Sequence, residues 1–261
     1  MMPTSIRFDS GLEILKTVGG ANYDGPLNQL MTIAPDLARC TVEFCYGDIM
    51  SRKELDLPTR QLCTVAALTG MGNAIPQLKY HIHGALNAGC TPAAIVEVIL
   101  VCAVFAGFPT AGNALMLTKE IFTECGIKFN PEVLAPTDDR YEKGMVALEE
   151  ISAGAGRQVT QQLMEISPDL ARFVIEFSYG DILSRPIIDN RTKELAIISL
   201  LTALGTAKPQ LKVHISAALN VGVTEVEIIE AIQQMAIYAG FPAALNGVFS
   251  ARETFDDRNL I

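Results

Sequence analysis

Three groups of side chains suited to anion binding and proton transfer occur twice in this chain. The first is Tyr46-Gly47-Asp48-Ile49 followed by Ser51-Arg52, matched by Tyr179-Gly180-Asp181-Ile182 and Ser184-Arg185. The second is Thr59-Arg60-Gln61, matched by Thr192-Lys193-Glu194. The third runs from Pro76 to His81 and again from Pro209 to His214, each copy leading into Ala-Leu-Asn. Arginine pairs bidentately with carboxylates through its planar fork, and histidine exchanges protons near neutral pH. Arg52, Arg60, Arg185 and Lys193, with Tyr46 and Tyr179, are therefore candidates for binding a small carboxylated ligand. His81 and His214 are candidate acid–base groups, with Glu194 available to orient or charge His214.

Register weakens that last pairing. If helices 192–204 and 209–221 turn back on each other near residue 206, His214 faces about residue 199. Glu194 is then displaced by five residues, roughly 7.5 Å along the axis. Structural roles also stand open. A helical histidine can serve packing alone, and the Tyr-Gly-Asp corners can be helix-end chemistry. Arg52 and Arg185 can pair with the nearby Asp48 and Asp181. His83 has only Ser216 opposite it and does not share a helix face with His81. No i/i+4 histidine pair or thiolate cluster points to a metal, and no glycine loop points to a phosphate; no cofactor is expected.

The elements that must carry these groups are helical. Asp9 or Ser10 can cap a helix through Leu12, Leu15 and Val18, and Leu27–Ile33 reads as a short turn of helix. Pro35 opens a segment to Gly47, and Pro58-Thr59-Arg60 a helix closed by Gly70 and Gly72. Pro76 begins the histidine helix. Thr91-Pro92 launches an apolar helix to Ala106, and Gly107-Phe108-Pro109 separates it from a last helix of about Ala111–Phe122. The pattern then repeats at a constant offset of 133 residues, as from His81 to His214 and from Gly107 to Gly240. Thr224 and Glu227 form a capping box where the first copy has Thr91-Pro92. A linker of about Glu124 to Asp138, containing Pro131 and Pro136, joins the copies. No segment alternates with period two. The expectation is an all-α chain of two repeats, 1–128 and 129–261, packed as a pseudo-dimer.

Composition narrows the partners. Of 261 residues, 49% are hydrophobic and 19% charged, an apolar balance that predicts burial between subunits as well as within them. A formal net charge of −9 argues against nucleic acid. Asp9 and Glu13 stand where a signal peptide needs a basic start, and the apolar run Val98 to Phe108 is too short to span a bilayer. A soluble, cytoplasmic protein with no membrane partner is expected. The six cysteines, Cys40, Cys45, Cys63, Cys90, Cys102 and Cys125, all fall in the first copy with no C-x-x-C pair. Four of their counterparts, Phe173, Ala196, Val223 and Met235, are apolar, which reads as core packing.

These groups, together with Arg140-Tyr141-Glu142-Lys143-Gly144-Met145 and Tyr238-Ala239-Gly240-Phe241-Pro242-Ala243-Ala244, resemble the carboxymuconolactone decarboxylase family, within the AhpD-like superfamily. The second copy resembles the decarboxylase over almost its whole length; the first looks like a diverged copy lacking the Arg-Tyr-Glu-Lys start. The resemblance implies tandem AhpD-like repeats and a homo-oligomer, a trimer of two-repeat chains imitating a hexamer of single-repeat relatives. It also implies a cofactor-independent carboxy-lyase or lactone-processing enzyme of aromatic catabolism. Arginine would hold the substrate carboxylate, and His81 or His214 would quench the carbanion left when CO2 departs. Peroxidases of the AhpD type place two cysteines just before the histidine. Ala74 and Gln77, or Ala207 and Gln210, stand there in this chain, so a dithiol mechanism does not carry over. Decarboxylase-like members often have a carboxylate at the Gln77 and Gln210 position. Two alternatives follow: hydroperoxidase chemistry through another cysteine, and a non-catalytic small-acid-binding protein that kept the fold.

Overall fold

The computed structural model describes residues 5–131, 133–134 and 137–259. Residues 1–4 of the lead-in and Pro136 of the linker lie outside the described residues. The first repeat comprises α1 (Ile6–Gly19), α2 (Gly25–Met31), α3 (Pro35–Cys40), α4 (Leu57–Met71), α5 (Ile75–Asn87), α6 (Pro92–Ala106) and α7 (Phe108–Glu124). The second comprises α8 (Arg140–Ser152), α9 (Ala155–Ile166), α10 (Pro168–Phe173), α11 (Asn190–Leu204), α12 (Lys208–Asn220), α13 (Glu225–Tyr238) and α14 (Phe241–Asn259). Among the described residues no strand forms, and no helix is long and apolar enough to cross a membrane.

The helix starts follow from their first residues. The Asp56 carboxylate accepts from Thr59 N–H at 2.7 Å, and Asp189 accepts from Thr192 N–H at the same distance, so α4 and α11 begin alike. Thr91 caps α6, and Thr224 with Glu227 forms the capping box of α13. Gly72 and Gly205 end α4 and α11 in the left-handed region, at φ of 66° and 68°. Four expectations shift. Helix α1 begins at Ile6 and is capped by Ser5, which accepts from Phe8 N–H, so Asp9 and Ser10 lie within it and do not cap it. Gly70 does not close α4 but lies inside it, where a Cβ would stand 2.8 Å from Leu200 of α11. Helix α7 begins at Phe108, because Pro109 occupies its first turn and starts the helix instead of breaking it. The Tyr-Gly-Asp corners are not helix ends: α3 and α10 continue as π-helical segments, Thr41–Met50 and Val174–Leu183.

Those π-helical segments lie against α1 and α8 with backbones almost touching. A Cβ on Gly11 would stand 2.1 Å from Val42 O, and one on Gly144 the same distance from Ile175 O. The Tyr-Gly-Asp glycines complete the fit, since a Cβ on Gly47 would meet Arg7 O at 2.4 Å. Helices α4 and α11 pack against each other at the centre, and one apolar core runs through both repeats, from Leu62, Val65 and Ile99 to Ile197, Ile198 and Ile232. The exposed apolar side chains recur at equivalent positions: Ile33 and Ile166, Leu37 and Leu170, Phe108 and Phe241, Met116 and Phe249.

Candidate functional site: two histidines at the joint between repeats

His214 projects from the middle of α12 toward Glu194 in the second turn of α11. Both are buried, at 5% and 0% exposure. The imidazole Nδ1 lies 2.7 Å from Glu194 Oε2, a direct hydrogen bond. The five-residue displacement expected from the helix register does not keep the two groups apart: the side chains meet directly. The same 20-residue spacing gives a direct bond in both repeats, so it belongs to the repeat's geometry. With Nδ1–H donated to the carboxylate, Nε2 is the nitrogen left for chemistry. No hydrogen bond to that Nε2 forms among the described residues. The nearest aromatic is Phe105 of α6, edge-on with centroids 4.9 Å apart. Glu194 Oε1 is buried with no partner among the described residues.

His81 of α5 sits in the equivalent place with different neighbours. Its Nδ1 is 2.9 Å from Gln61 Oε1, and its Nε2 is 3.2 Å from the hydroxyl of Tyr238, at the end of α13. The rings of Tyr80 and Tyr238 stand edge-on to it at 5.3 and 5.2 Å. Both ring nitrogens are occupied. With Tyr238 O–H donating to Nε2, Nδ1–H donates to the Gln61 oxygen, and the ring is neutral. Burial, with no carboxylate to oppose it, pushes the His81 pKa down to about 3. The phenols of Tyr46, Tyr80 and Tyr238 are raised by burial and remain protonated.

The cations meet protein carboxylates from the opposite repeat. Arg60, wholly buried, donates through Nη2 to Glu230 at 2.7 Å, and also to Gln234 Oε1 and to the Leu55 and Arg52 carbonyls. Arg52 shares Glu230 at 2.7 Å, and Arg185 grips Glu97 with Nε at 2.9 Å. Burial works to raise the Glu230 carboxyl, but the hydrogen bonds and charges of Arg52 and Arg60 outweigh it and hold it below the usual range. Lys193 donates to the carbonyls of Leu183 and Arg185, and burial lowers its pKa. The pairing of Arg52 with Asp48 and of Arg185 with Asp181 does not form. Asp48 accepts from Arg7 and Asp181 from Arg140, through Nε at 2.8 and 2.9 Å. Arg7 is the 133-offset counterpart of Arg140, so the first repeat keeps the arginine of the Arg-Tyr-Glu-Lys start and lacks only the three residues after it.

Sequence reasoning missed Glu97, Glu230, Phe105, Tyr238 and Arg7 as site-forming residues. A signal existed for the carboxylates: Glu97 and Glu230 are equivalent charges set in buried stretches of helix. Two surface cavities flank the repeats. One of about 720 Å³ is lined by Lys143, Arg185, Asn190 and Lys193, and one of about 400 Å³ by Arg52, Glu225, Glu230 and Phe255. Neither is lined by His81 or His214. Among the described residues no cluster of histidine, cysteine and acidic side chains could hold a metal ion.

The thiols split. Cys63, Cys90 and Cys102 are buried, with burial pushing Cys63 up to about 11 and Cys90 up to about 12, which suits packing. Cys40 is exposed, against the core reading, and Cys125, whose counterpart is Arg258, is exposed with its Sγ 3.6 Å from His83 Nδ1. Ala74 and Ala207 are the N-caps of α5 and α12, and Gln77 and Gln210 lie in their first turns, so no thiol precedes either histidine.

Fold and site together define an all-helical tandem-repeat protein with a histidine paired to a buried acceptor in each half and an aromatic supplied by the other. The chain belongs to the carboxymuconolactone decarboxylase family, whose model matches residues 35–120 and again 168–253. It is 32% identical over 124 residues to 4-carboxymuconolactone decarboxylase of Acinetobacter baylyi, covering 47% of this chain and 92% of that one. It is 29% identical over 118 residues to nitrosuccinic acid decarboxylase npaB of Metarhizium robertsii, covering 45% and 82%. A crystal structure from Burkholderia xenovorans LB400, described as a gamma-carboxymuconolactone decarboxylase subunit, superposes with a TM-score of 0.62 at 23% identity, over 98% of this chain and 100% of that chain. That likeness shows a shared fold.

Proposed function

We propose that the chain is a carboxy-lyase acting on a small carboxylated ring compound of the 4-carboxymuconolactone type, a substrate class that belongs to aromatic catabolism. The observation that carries this reading is the 2.7 Å pair of buried His214 and Glu194, and the two named decarboxylases support it. In this scheme the carboxylate carbon leaves as CO2 and its bonding electron pair stays on the ring carbon as an enolate. His214, acting as the imidazolium, delivers its Nε2 proton to that carbon and is left as the neutral Nδ1–H tautomer. Glu194 holds Nδ1–H, fixes the ring orientation and compensates charge when the imidazole is protonated. One proton taken up from solvent for each CO2 released restores the imidazolium, so the cycle needs no cofactor.

Tyr179 is assigned a supporting role. Its phenol is raised by burial and then by the charge of Glu194, so it stays a neutral hydrogen-bond donor beside the pair. Arg185 and Lys193, which border the larger cavity while held by Glu97 and by main-chain carbonyls, are assigned to recognise a substrate carboxylate. Arg52, Arg60 and Tyr46 shape the other joint, around His81. The fusion point between the two repeats is placed at residues 128 and 129.

The test is CO2 release from 4-carboxymuconolactone by purified protein, compared with His81→Ala and His214→Ala. Absence of release by wild type, or release unchanged when both histidines are replaced, rejects the reading. A second reading, a small-acid-binding protein without turnover, draws on the neutral surroundings of His81. It is supported if 4-carboxymuconolactone binds in calorimetry while no CO2 is released.

A further inference from the structure

We propose that Gln61 and Tyr238 silence His81, so that the chain carries a single acid–base centre, His214. The inference rests on the carboxy-lyase reading only for its activity measurement.

The two sites differ at two positions that touch the ring, and both differences act in one direction. At the 133-residue offset Gln61 corresponds to Glu194, and Tyr238 to Phe105. The first exchange replaces a carboxylate at Nδ1 by an amide at 2.9 Å, which removes the counter-charge that a protonated imidazole needs in a buried site. The second places a hydroxyl 3.2 Å from Nε2, the nitrogen that would have to reach substrate. Phe105 presents only a ring edge to His214, so its Nε2 stays available. Gln61 lies in the first repeat and Tyr238 in the second, yet both converge on one imidazole. A single loss would have weakened the site; the two together engage both nitrogens in neutral hydrogen bonds.

The remaining groups around His81 add no charge. Tyr80 is a neutral phenol packed edge-on, and Tyr46 lies in the same buried cluster. Arg60, the neighbour of Gln61 along α4, is already neutralised by Glu230. At the second site Glu194 keeps one carboxylate oxygen, Oε1, buried and without a partner among the described residues, on the group that would share protons with the imidazole. The equivalent atom at the first site is the equally unpartnered Gln61 Nε2, which can only donate.

The experiment rebuilds the lost site. In a His214→Ala background turnover is expected to fall at least 100-fold. Adding Gln61→Glu with Tyr238→Phe should restore it at least tenfold. Retention of half or more of wild-type turnover by His214→Ala, or no gain from the rebuilt pair in a protein that melts as wild type does, overturns the proposal. Nitrogen-15 imidazole spectra give a second readout that needs no substrate. In wild type the His81 signals should hold one neutral tautomer from pH 8 to pH 5, and Gln61→Glu/Tyr238→Phe should make them titrate within that range. A wild-type His81 that titrates near neutral pH overturns the proposal even if no decarboxylation is ever observed. Should wild type release no CO2 while His81 stays neutral and the rebuilt ring titrates, the carboxy-lyase reading fails and this one stands.

Discussion

Glu230 is the residue on which the joint between repeats depends most directly, because it neutralises a guanidinium that has no access to water. Glu230→Gln leaves Arg60 buried without a charge partner. The expected loss is about 3–5 kcal/mol of unfolding free energy in urea titration, the usual consequence of removing one member of a buried pair. His81 and Glu230 also set a pH dependence with two stages. His81 binds protons far less readily folded than unfolded, so stability falls as pH drops below about 6.5, where the unfolded histidine begins to charge. Between pH 7 and pH 5 this one group should remove about 2 kcal/mol, and His81→Asn should flatten that part of the profile. Glu230 acts lower: its carboxyl is depressed in the fold, so its contribution is present above about pH 4.3 and disappears as pH falls through the folded value. At this scale the sequence showed which residues carry chemistry but not whom they face. His81 and His214 stood out because they recur; the partners of Arg52 and Arg60 did not, because Glu230 lies some 170 residues away along the chain.

Among the elements, the contact between α8 and the second π-helical segment is the least forgiving. Gly144→Ala puts a methyl group 2.1 Å from the Ile175 carbonyl oxygen, which backbone alone can relieve. Overpacking of this kind typically costs about 1–3 kcal/mol, and the expected result is a lower melting temperature with the helical circular dichroism unchanged. Gly112→Ala, where a Cβ meets nothing within 4 Å, is the matched control and should not destabilise the fold. Most helix starts were legible from Pro35, Pro58, Pro76, Thr91 and Thr224, since first-turn proline and capping are local chemistry; the Asp56 and Asp189 caps emerged with the structure. The π-helical segments were not. Their reading as a corner followed from Gly47 and Gly180, whose absent side chains serve close backbone approach instead of a turn.

For the whole molecule, a core that passes from Ile99 to Ile232 without a break makes the repeats one folding unit. Residues 1–128 and 129–261 expressed separately should each expose apolar surface and associate, while the fused chain should unfold in one transition. The exposed pairs Phe108/Phe241 and Ile33/Ile166 make association of whole chains the further expectation. Light scattering checks this as a multiple of 28.2 kDa, with Phe108→Glu/Phe241→Glu shifting the mass toward one chain. The tandem plan was legible from the 133-residue offset, and its helical character from apolar spacing, caps and the lack of period-two alternation. The asymmetry between the histidine sites was visible residue by residue in Gln61 and Glu194, but its completion by Tyr238 and Phe105 needed the packing of one repeat on the other.

Tyr238 reaching across to His81, and Phe105 to His214, has a consequence for heredity. Neither half of the chain owns a complete site, so neither can be exchanged alone between relatives without changing chemistry in the other. Aligned two-repeat homologues should show positions 61 and 238 changing together, Gln with Tyr or Glu with Phe, more often than either changes alone. Recombination between such genes at the linker would break that association, and the resulting chimaeras would reveal it as mismatched sites in correctly folded proteins.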